Sequence, residues 1–175
     1  MTRRNALWAL GVLMVALFIV LVLLDVRMRD AGGPGIIGFE LAGSEDRAAE
    51  ILADWGDDGQ DAARLSLWID YPYLLVYGAF LTLAVAATRD LAARLDLRRL
   101  AAIGGIVVFF PAAGAGFDAL EDVGLLIALD GNGGNAAPLL ATICAVAKFV
   151  LIDVAILYVI VGLVQRARRR APAGA

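Results

Sequence analysis

The sequence predicts an all-α integral membrane protein, a four-transmembrane-helix bundle with an extracytoplasmic amphipathic helix. Three observations support this fold class: 61% of the 175 residues are apolar, the mean hydropathy is +0.80, and four apolar runs are long enough to cross a bilayer. Soluble domains contain only about 45–50% apolar residues even when glycine is counted. We therefore expect residues 1–175 to form a single membrane domain.

The first predicted span is the charge-free run 6–24. As a helix it covers roughly 28 Å, close to the ~30 Å hydrocarbon core of a bilayer. Arg3 and Arg4 precede it, as basic residues precede the core of a signal peptide. The run is longer than such a core, however, and no A-x-A cleavage pattern follows Leu24. We therefore expect an uncleaved span.

Three further runs predict spans at 67–88, 101–129 and 139–164. The run 101–129 is too long for an upright crossing, so this helix should tilt, end among headgroups or bend at Pro111. The glycine-rich sequence 130–135 predicts a tight turn. The last two spans should therefore be antiparallel neighbours.

The long connection 25–66 is predicted to be extracytoplasmic and to contain an amphipathic helix over 45–55. Ser44 suits the N-cap, apolar residues recur at helical spacing, and Gly56 can end the helix. Anionic lipid would repel its acidic outer face, so we expect it to cover the mouth of the bundle as a lid. Trp55 suits the depth of a membrane interface.

Charged residues near the span ends are strongly segregated. One set of ends carries ten arginines against two aspartates, a net charge of +8, and the other carries eleven acids against four arginines, a net charge of −7. The positive-inside rule places both termini of this multi-pass membrane protein in the cytoplasm. This topology signal accounts for the basic tail, so no nucleic-acid partner is predicted. The basic side comprises Arg3, Arg4, Arg89, Arg94, Arg98, Arg99, Arg166, Arg168, Arg169 and Arg170, with Asp90 and Asp96.

Six charged residues lie inside the predicted spans, where each ionised group costs from a few kcal/mol upward. Five acids against one lysine leave a net charge of −4 in this region. Bound protons, a bound cation, a cationic ligand or exposure to water or headgroups must compensate it. The six residues are Asp70, Asp118, Glu121, Asp122, Lys148 and Asp153.

Helical spacing predicts that most of these residues converge on one polar pocket in the outer half of the bundle. Asp118 and Lys148 both lie about 15 Å from the outer span ends, which predicts an ion pair between them. Asp153 is five residues from Lys148 and should face another contact. The predicted ligand or ion pocket beneath the lid comprises Asp70, Tyr73, Tyr77, Asp118, Glu121, Asp122 and Lys148.

A structural interpretation of the same acids competes with the pocket. Asp70 can stabilise a helix N-terminus, and Glu121 and Asp122 can lie among headgroups. The chain has no histidine, and Cys144 is its one cysteine, which excludes His-ligated metals, Cys-cluster metals and an intrachain disulfide. We predict no cofactor and assign no metal site, although a carboxylate site for a hard cation stays an open alternative.

We expect a non-enzymatic protein of the lipid bilayer whose acidic pocket binds a cation, a proton or an amphipathic ligand. It would act alone, as a homo-oligomer or with a partner in a membrane complex. One alternative is a membrane enzyme that acts on a lipid or isoprenoid by proton transfer from a carboxylic acid, for which no catalytic residue is assigned. A second is a structural subunit of a membrane complex.

Four segments, about a third of the chain, carry a resemblance to known proteins: FELAGSEDRAAEILADW, LWIDYPYLLVY, FDALEDVGLL and AKFVLIDVAILY. In these segments the chain resembles small bacterial four-span inner-membrane proteins that usually have no assigned function. The resemblance implies the fold and a location in the bacterial cytoplasmic (inner) membrane. It implies no activity and no site residue.

Overall fold

The computed structural model describes residues 2–170, and of Arg170 the backbone alone. The described part is all-helical and contains no strand, which confirms the predicted fold class at that level. Four helical stretches are long and apolar enough to cross a membrane, as the four apolar runs predicted. The helices are α1 (Arg3–Asp30), α2 (Ile36–Glu40), α3 (Glu45–Arg94), α4 (Arg98–Val107), α5 (Phe110–Leu129) and α6 (Ala136–Arg170).

Helix α1 extends the predicted span 6–24 at both ends. Its N-terminus is capped by the Thr2 side chain, which accepts a hydrogen bond from the Asn5 amide. Neither proline nor glycine interrupts the helix after Gly11, and the chain turns at Gly32, where φ is +112°. The helix packs chiefly along α3, while most of its remaining apolar surface is exposed.

Helix α3 begins where the sequence predicts the lid helix, with the Ser44 hydroxyl accepting a hydrogen bond from the Arg47 amide. At Gly56 the backbone leaves the helical region, with φ 54° and ψ −163°, and a second helical segment then runs to Arg94. The predicted connection 25–66 is therefore helical from 45 onward, apart from this kink. Small residues at helical spacing on the inner face of 57–66, such as Ala62 and Ala63, are buried and hold this segment against the bundle.

A cap formed by α2 and residues 45–55 of α3 closes one end of the bundle. Asp25 Oδ1 accepts a hydrogen bond from the Ile36 amide at 2.7 Å, which anchors the start of α2. Trp55 Nε1 donates to the carbonyl oxygen of Pro34 at 2.7 Å, and its ring packs 5.2 Å from that of Phe39. The Trp55 side chain is 2% exposed and fills the core of the cap, so it packs against protein, and its predicted depth at a membrane interface stays a prediction.

The long third run is interrupted just before Pro111, where the sequence predicts a bend. Helix α4 ends at Val107 and α5 starts at Phe110, so that Pro111 occupies the first turn of α5, where its missing amide costs no hydrogen bond. Helices α5 and α6 then form the most extensive pair in the fold. Gly124 allows this close approach, because a Cβ there would crowd the backbone of α6.

The predicted segregation of charge is visible as two ends of the bundle. At the basic end, Arg3 of α1 pairs with Asp90 of α3 at 2.7 Å, and the hydrogen bond from Arg3 lowers the pKa of the Asp90 carboxyl. At the acidic end, Arg64 pairs with Asp130 at 2.6 Å beside the cap. The sequence also predicts that both chain termini are cytoplasmic. Met1 and residues 171–175, which form those termini, lie outside the described residues.

The kink at Gly56 gives a first test of the fold. An added Cβ would meet no neighbour there, but the φ and ψ angles are essentially restricted to glycine. We expect Gly56→Ala to lower the free energy of unfolding by about 1–3 kcal/mol, measured by denaturant titration in detergent micelles with helical circular dichroism as the signal. Gly116→Ala, in open space on regular helix, is the matched control and should change it by less than about 1 kcal/mol. Equal effects of the two substitutions would contradict this explanation of the kink.

Candidate functional site

The candidate site is built around the one lysine of the chain. Lys148 of α6 is 8% exposed, and its Nζ lies 2.6 Å from Asp118 Oδ1 and 2.9 Å from Glu121 Oε1. The predicted ion pair between Lys148 and Asp118 is therefore present. A third carboxylate oxygen, Oε2 of Glu40, lies 3.7 Å from the same nitrogen.

Helix α5 supplies three of the carboxylates. Asp118, Glu121 and Asp122 are spaced i, i+3 and i+4, which places them on one face of the helix. They are 3%, 0% and 2% exposed, and α5 continues to Leu129 beyond them. A headgroup position for Glu121 and Asp122 is therefore wrong, because neighbouring helices cover both side chains.

Helix α3 supplies the opposite wall of the site. The Tyr77 hydroxyl donates a hydrogen bond to Asp118 Oδ2 at 2.8 Å, and the Tyr73 ring packs 5.4 Å from the Tyr77 ring. Asp70 stands one helical turn before Tyr73 and is half-buried. It lies in the interior of α3, so stabilising a helix N-terminus does not account for it.

Three carboxylates form the most compact part of the site. One oxygen each from Asp70, Asp118 and Asp122 lies within 4.8 Å of the other two. We call these residues the carboxylate triad. Their separation is suited to a single cation shared by three oxygen ligands.

Sequence reasoning missed Glu40 as a site residue and counted it only among the eleven acids at the acidic span ends. This residue ends α2, and its side chain points into the bundle, where it is 7% exposed. Burial raises the pKa of the Glu40 carboxyl, and the nearby Lys148 ammonium opposes that shift. One sequence signal could have indicated its burial: Glu40 stands among the apolar residues of the segment IIGFELA.

The cluster carries more negative charge than its own cation can neutralise. Together with Glu40 it contains five carboxylates around one ammonium, a net charge of −4 if all are ionised. Three buried oxygens have no hydrogen-bond partner within the described residues: Glu40 Oε2, Glu121 Oε2 and Asp122 Oδ2. A buried carboxylate oxygen without a partner is costly, so such oxygens indicate bound protons or a cation ligand.

The structure thus brings all seven predicted site residues to one place and adds Glu40. The cluster is covered by the cap through Glu40, and the half-buried members, Asp70 and Tyr73, mark its partly accessible edge. Asp153 is not a member, because it is exposed on another face of α6.

Comparison with protein-family models, curated proteins and solved structures finds no match for this chain. The geometry and charge of the cluster are therefore the evidence that bears on function.

Removing the central ammonium tests how far the cluster depends on it. We expect Lys148→Met to lower the free energy of unfolding by about 3 kcal/mol or more, because it leaves buried carboxylates uncompensated. Adding Asp118→Asn to that variant should restore part of the loss, since one uncompensated charge is removed with it. The measurement is denaturant unfolding in detergent micelles.

Arg64→Met is the control for this test, because it breaks the exposed ion pair to Asp130. Exposed pairs contribute about 0–1 kcal/mol. A loss from Lys148→Met no larger than that from Arg64→Met would contradict a central role for the ammonium.

Proposed function

We propose that the chain is a multi-pass protein of the bacterial cytoplasmic membrane, with its basic end in the cytoplasm and its cap outside. Four helices of sufficient length and hydropathy support insertion, and the segregation of arginines to one end supports the orientation. The resemblance to small bacterial inner-membrane proteins agrees with this location. The lipid bilayer is then the partner of the exposed apolar helix faces.

We further propose that the protein is a non-enzymatic cation-binding protein whose site is the carboxylate triad. The observation that carries this proposal is the convergence of three carboxylate oxygens within 4.8 Å beside the unpartnered, buried Asp122 Oδ2. Hard cations such as Ca²⁺, Mg²⁺ and Mn²⁺ prefer carboxylate oxygens as ligands. A bound cation would relieve the excess negative charge that Lys148 leaves.

The surrounding residues have separate tasks in this proposal. Lys148 and the Tyr77 hydroxyl hold the two oxygens of Asp118 by contacts of 2.6 and 2.8 Å, which fixes one ligand of the triad in place. Asp70, as the half-buried member, provides the side from which an ion enters. When no metal ion is bound, protons on the carboxyl groups take over the neutralisation.

The lipid-acting enzyme and the structural subunit of a membrane complex stay predictions. Both are compatible with a buried acidic cluster. Neither explains why three carboxylates should share one compact position, which a bound cation does.

The proposed topology can be tested with single cysteines in a Cys144→Ala background. The cells are treated so that the outer membrane is permeable and the inner membrane stays intact. A membrane-impermeant maleimide should then label Asn132→Cys, in the turn at the acidic end. It should label Asp96→Cys, in the loop at the basic end, only after the inner membrane is also opened. Both positions are exposed, so a difference in labelling reports which side of the membrane each position faces. The reverse labelling pattern would overturn the proposed orientation.

The cation site can be tested with the purified full-length chain in nanodiscs. We expect Mn²⁺, measured by electron paramagnetic resonance, and Ca²⁺ or Mg²⁺, measured by calorimetry, to bind with one ion per chain. Asp122→Asn should weaken binding by about tenfold or more, because it removes a ligand oxygen. Lowering the pH from about 7.5 to 5.5 should also weaken binding, since carboxylates must lose their protons to bind a metal ion.

Asp130→Asn is the matched control, because it removes an exposed carboxylate at the same end of the bundle. It should leave the affinity unchanged. Without added cation, Asp122→Asn should be at least as stable as the wild type, so weaker binding could not be attributed to misfolding. Failure of all three ions to bind the wild type, or equal weakening by Asp130→Asn, would overturn the proposal.

A further inference from the structure

Asp153 is the acid that the cluster leaves unexplained. It lies on α6 within two residues of the centre of the predicted span 139–164, and its side chain is exposed. Within residues 2–169 it takes part in no ion pair and no hydrogen bond between side chains. An ionisable side chain at that depth is rarely left facing lipid, because lipid offers it neither a counter-charge nor a hydrogen bond.

Asp153 cannot reach the acidic cluster on its own helix. It stands five residues from Lys148, which is about 140° around a helix of 3.6 residues per turn. Lys148 faces inward with Cys144 and Ala155, which are 3% and 0% exposed. The described residues thus offer Asp153 no partner, and we look for one outside this chain.

The exposed face of α6 around Asp153 is broad and also includes Val154 and Val161. Within it, one row of exposed positions recurs in alternating steps of four and three from Val146 through Val150, Asp153, Leu157 and Ile160. The same spacing continues outward to 139 and inward to 164. Alternating steps of three and four are the heptad spacing by which two parallel helices pack along a common seam. We call this face the α6 seam.

We propose that the α6 seam is a homodimer interface in which Asp153 of one copy hydrogen-bonds Asp153 of a second copy across a two-fold axis normal to the membrane. Copies inserted by the same topology place their α6 helices parallel and their Asp153 residues at equal depth. A two-fold axis then sets the seam against itself, as an isologous interface requires. The inference rests on the proposed membrane insertion and is independent of cation binding at the triad.

A second copy offers Asp153 a hydrogen-bonding carboxyl group at the same depth. Two facing carboxyl groups that share one proton can form a hydrogen bond, with the proton taken from and returned to water. The pair removes one of the two charges and gives each carboxyl a partner in the membrane. A single polar residue in an apolar heptad seam also fixes the register of the two helices.

The decisive experiment uses the full-length chain reconstituted in liposomes. In a Cys144→Ala background, Leu157→Cys should form an intermolecular disulfide on mild oxidation, while Ile156→Cys should form little. These neighbours lie at the same depth and are both exposed, but Ile156 is outside the α6 seam. Co-flotation with the liposomes confirms insertion in each sample, which separates failure of the dimer from failure of the proposed membrane location.

Substitutions of Asp153 test its own part in the dimer. Asp153→Leu should weaken dimerisation by about tenfold, measured by single-molecule photobleaching across a dilution series in the bilayer. Asp153→Asn, which keeps a hydrogen-bonding side chain, should retain most of the affinity. Because position 153 is exposed in the monomer, both variants should fold and keep cation binding at the triad. The proposal would be overturned by a monomeric wild type or by equal cross-linking at positions 156 and 157. It would also be overturned if Asp153→Leu dimerised as strongly as the wild type, or if the chain associated with another protein in place of a second copy.

Discussion

The buried ammonium of Lys148 is the interaction on which the rest of the structure depends. Its contacts of 2.6 and 2.9 Å to Asp118 and Glu121 join α6 to α5, and Glu40 brings α2 to the same nitrogen. The Tyr77 hydroxyl extends the network to α3 through Asp118. Buried ion pairs add little net stability, but an arrangement that is slightly out of register would leave charges unpaired. The cluster therefore specifies how four helices are aligned more than it adds to their stability.

Close approach of the helix backbones makes this network geometrically accessible. Aspartate side chains are short, so Asp118 can contact residues of both α3 and α6 only where those helices come near α5. Gly124 provides the close contact to α6, and Gly78 provides it to α5 opposite Ala115. The interruption before Pro111 separates α5 from α4. Small residues at the helix contacts thus position the charged residues.

Local sequence signals predicted the parts of the fold that local physics decides. The apolar runs, the Ser44 cap and the pairing of Lys148 with Asp118 follow from hydropathy, capping chemistry and residue spacing. Helical periodicity could not predict the burial of Glu40, because α2 has five residues and is too short to show a period, which leaves only its apolar neighbours as a local signal. Its burial depends on tertiary contacts, including the hydrogen bond from the Thr142 hydroxyl to the Glu40 carbonyl oxygen at 2.8 Å. The burial of Trp55 could not be predicted for a related reason, since its partner, the Pro34 carbonyl, lies 21 residues away in the chain.

Helix α6 carries two charged residues near mid-span, and their environments require different solutions. Lys148 faces a cluster with an excess of carboxylates, where a cation or protons from solution can balance the charge. Asp153 faces away from the bundle, and among residues 2–169 it forms no ion pair and no side-chain hydrogen bond. The cluster's net charge of −4 can thus be compensated within one chain, whereas the single charge of Asp153 cannot. The proposed ion binding inside the monomer and the proposed association between monomers thus rest on different faces of one helix, which are about 140° apart.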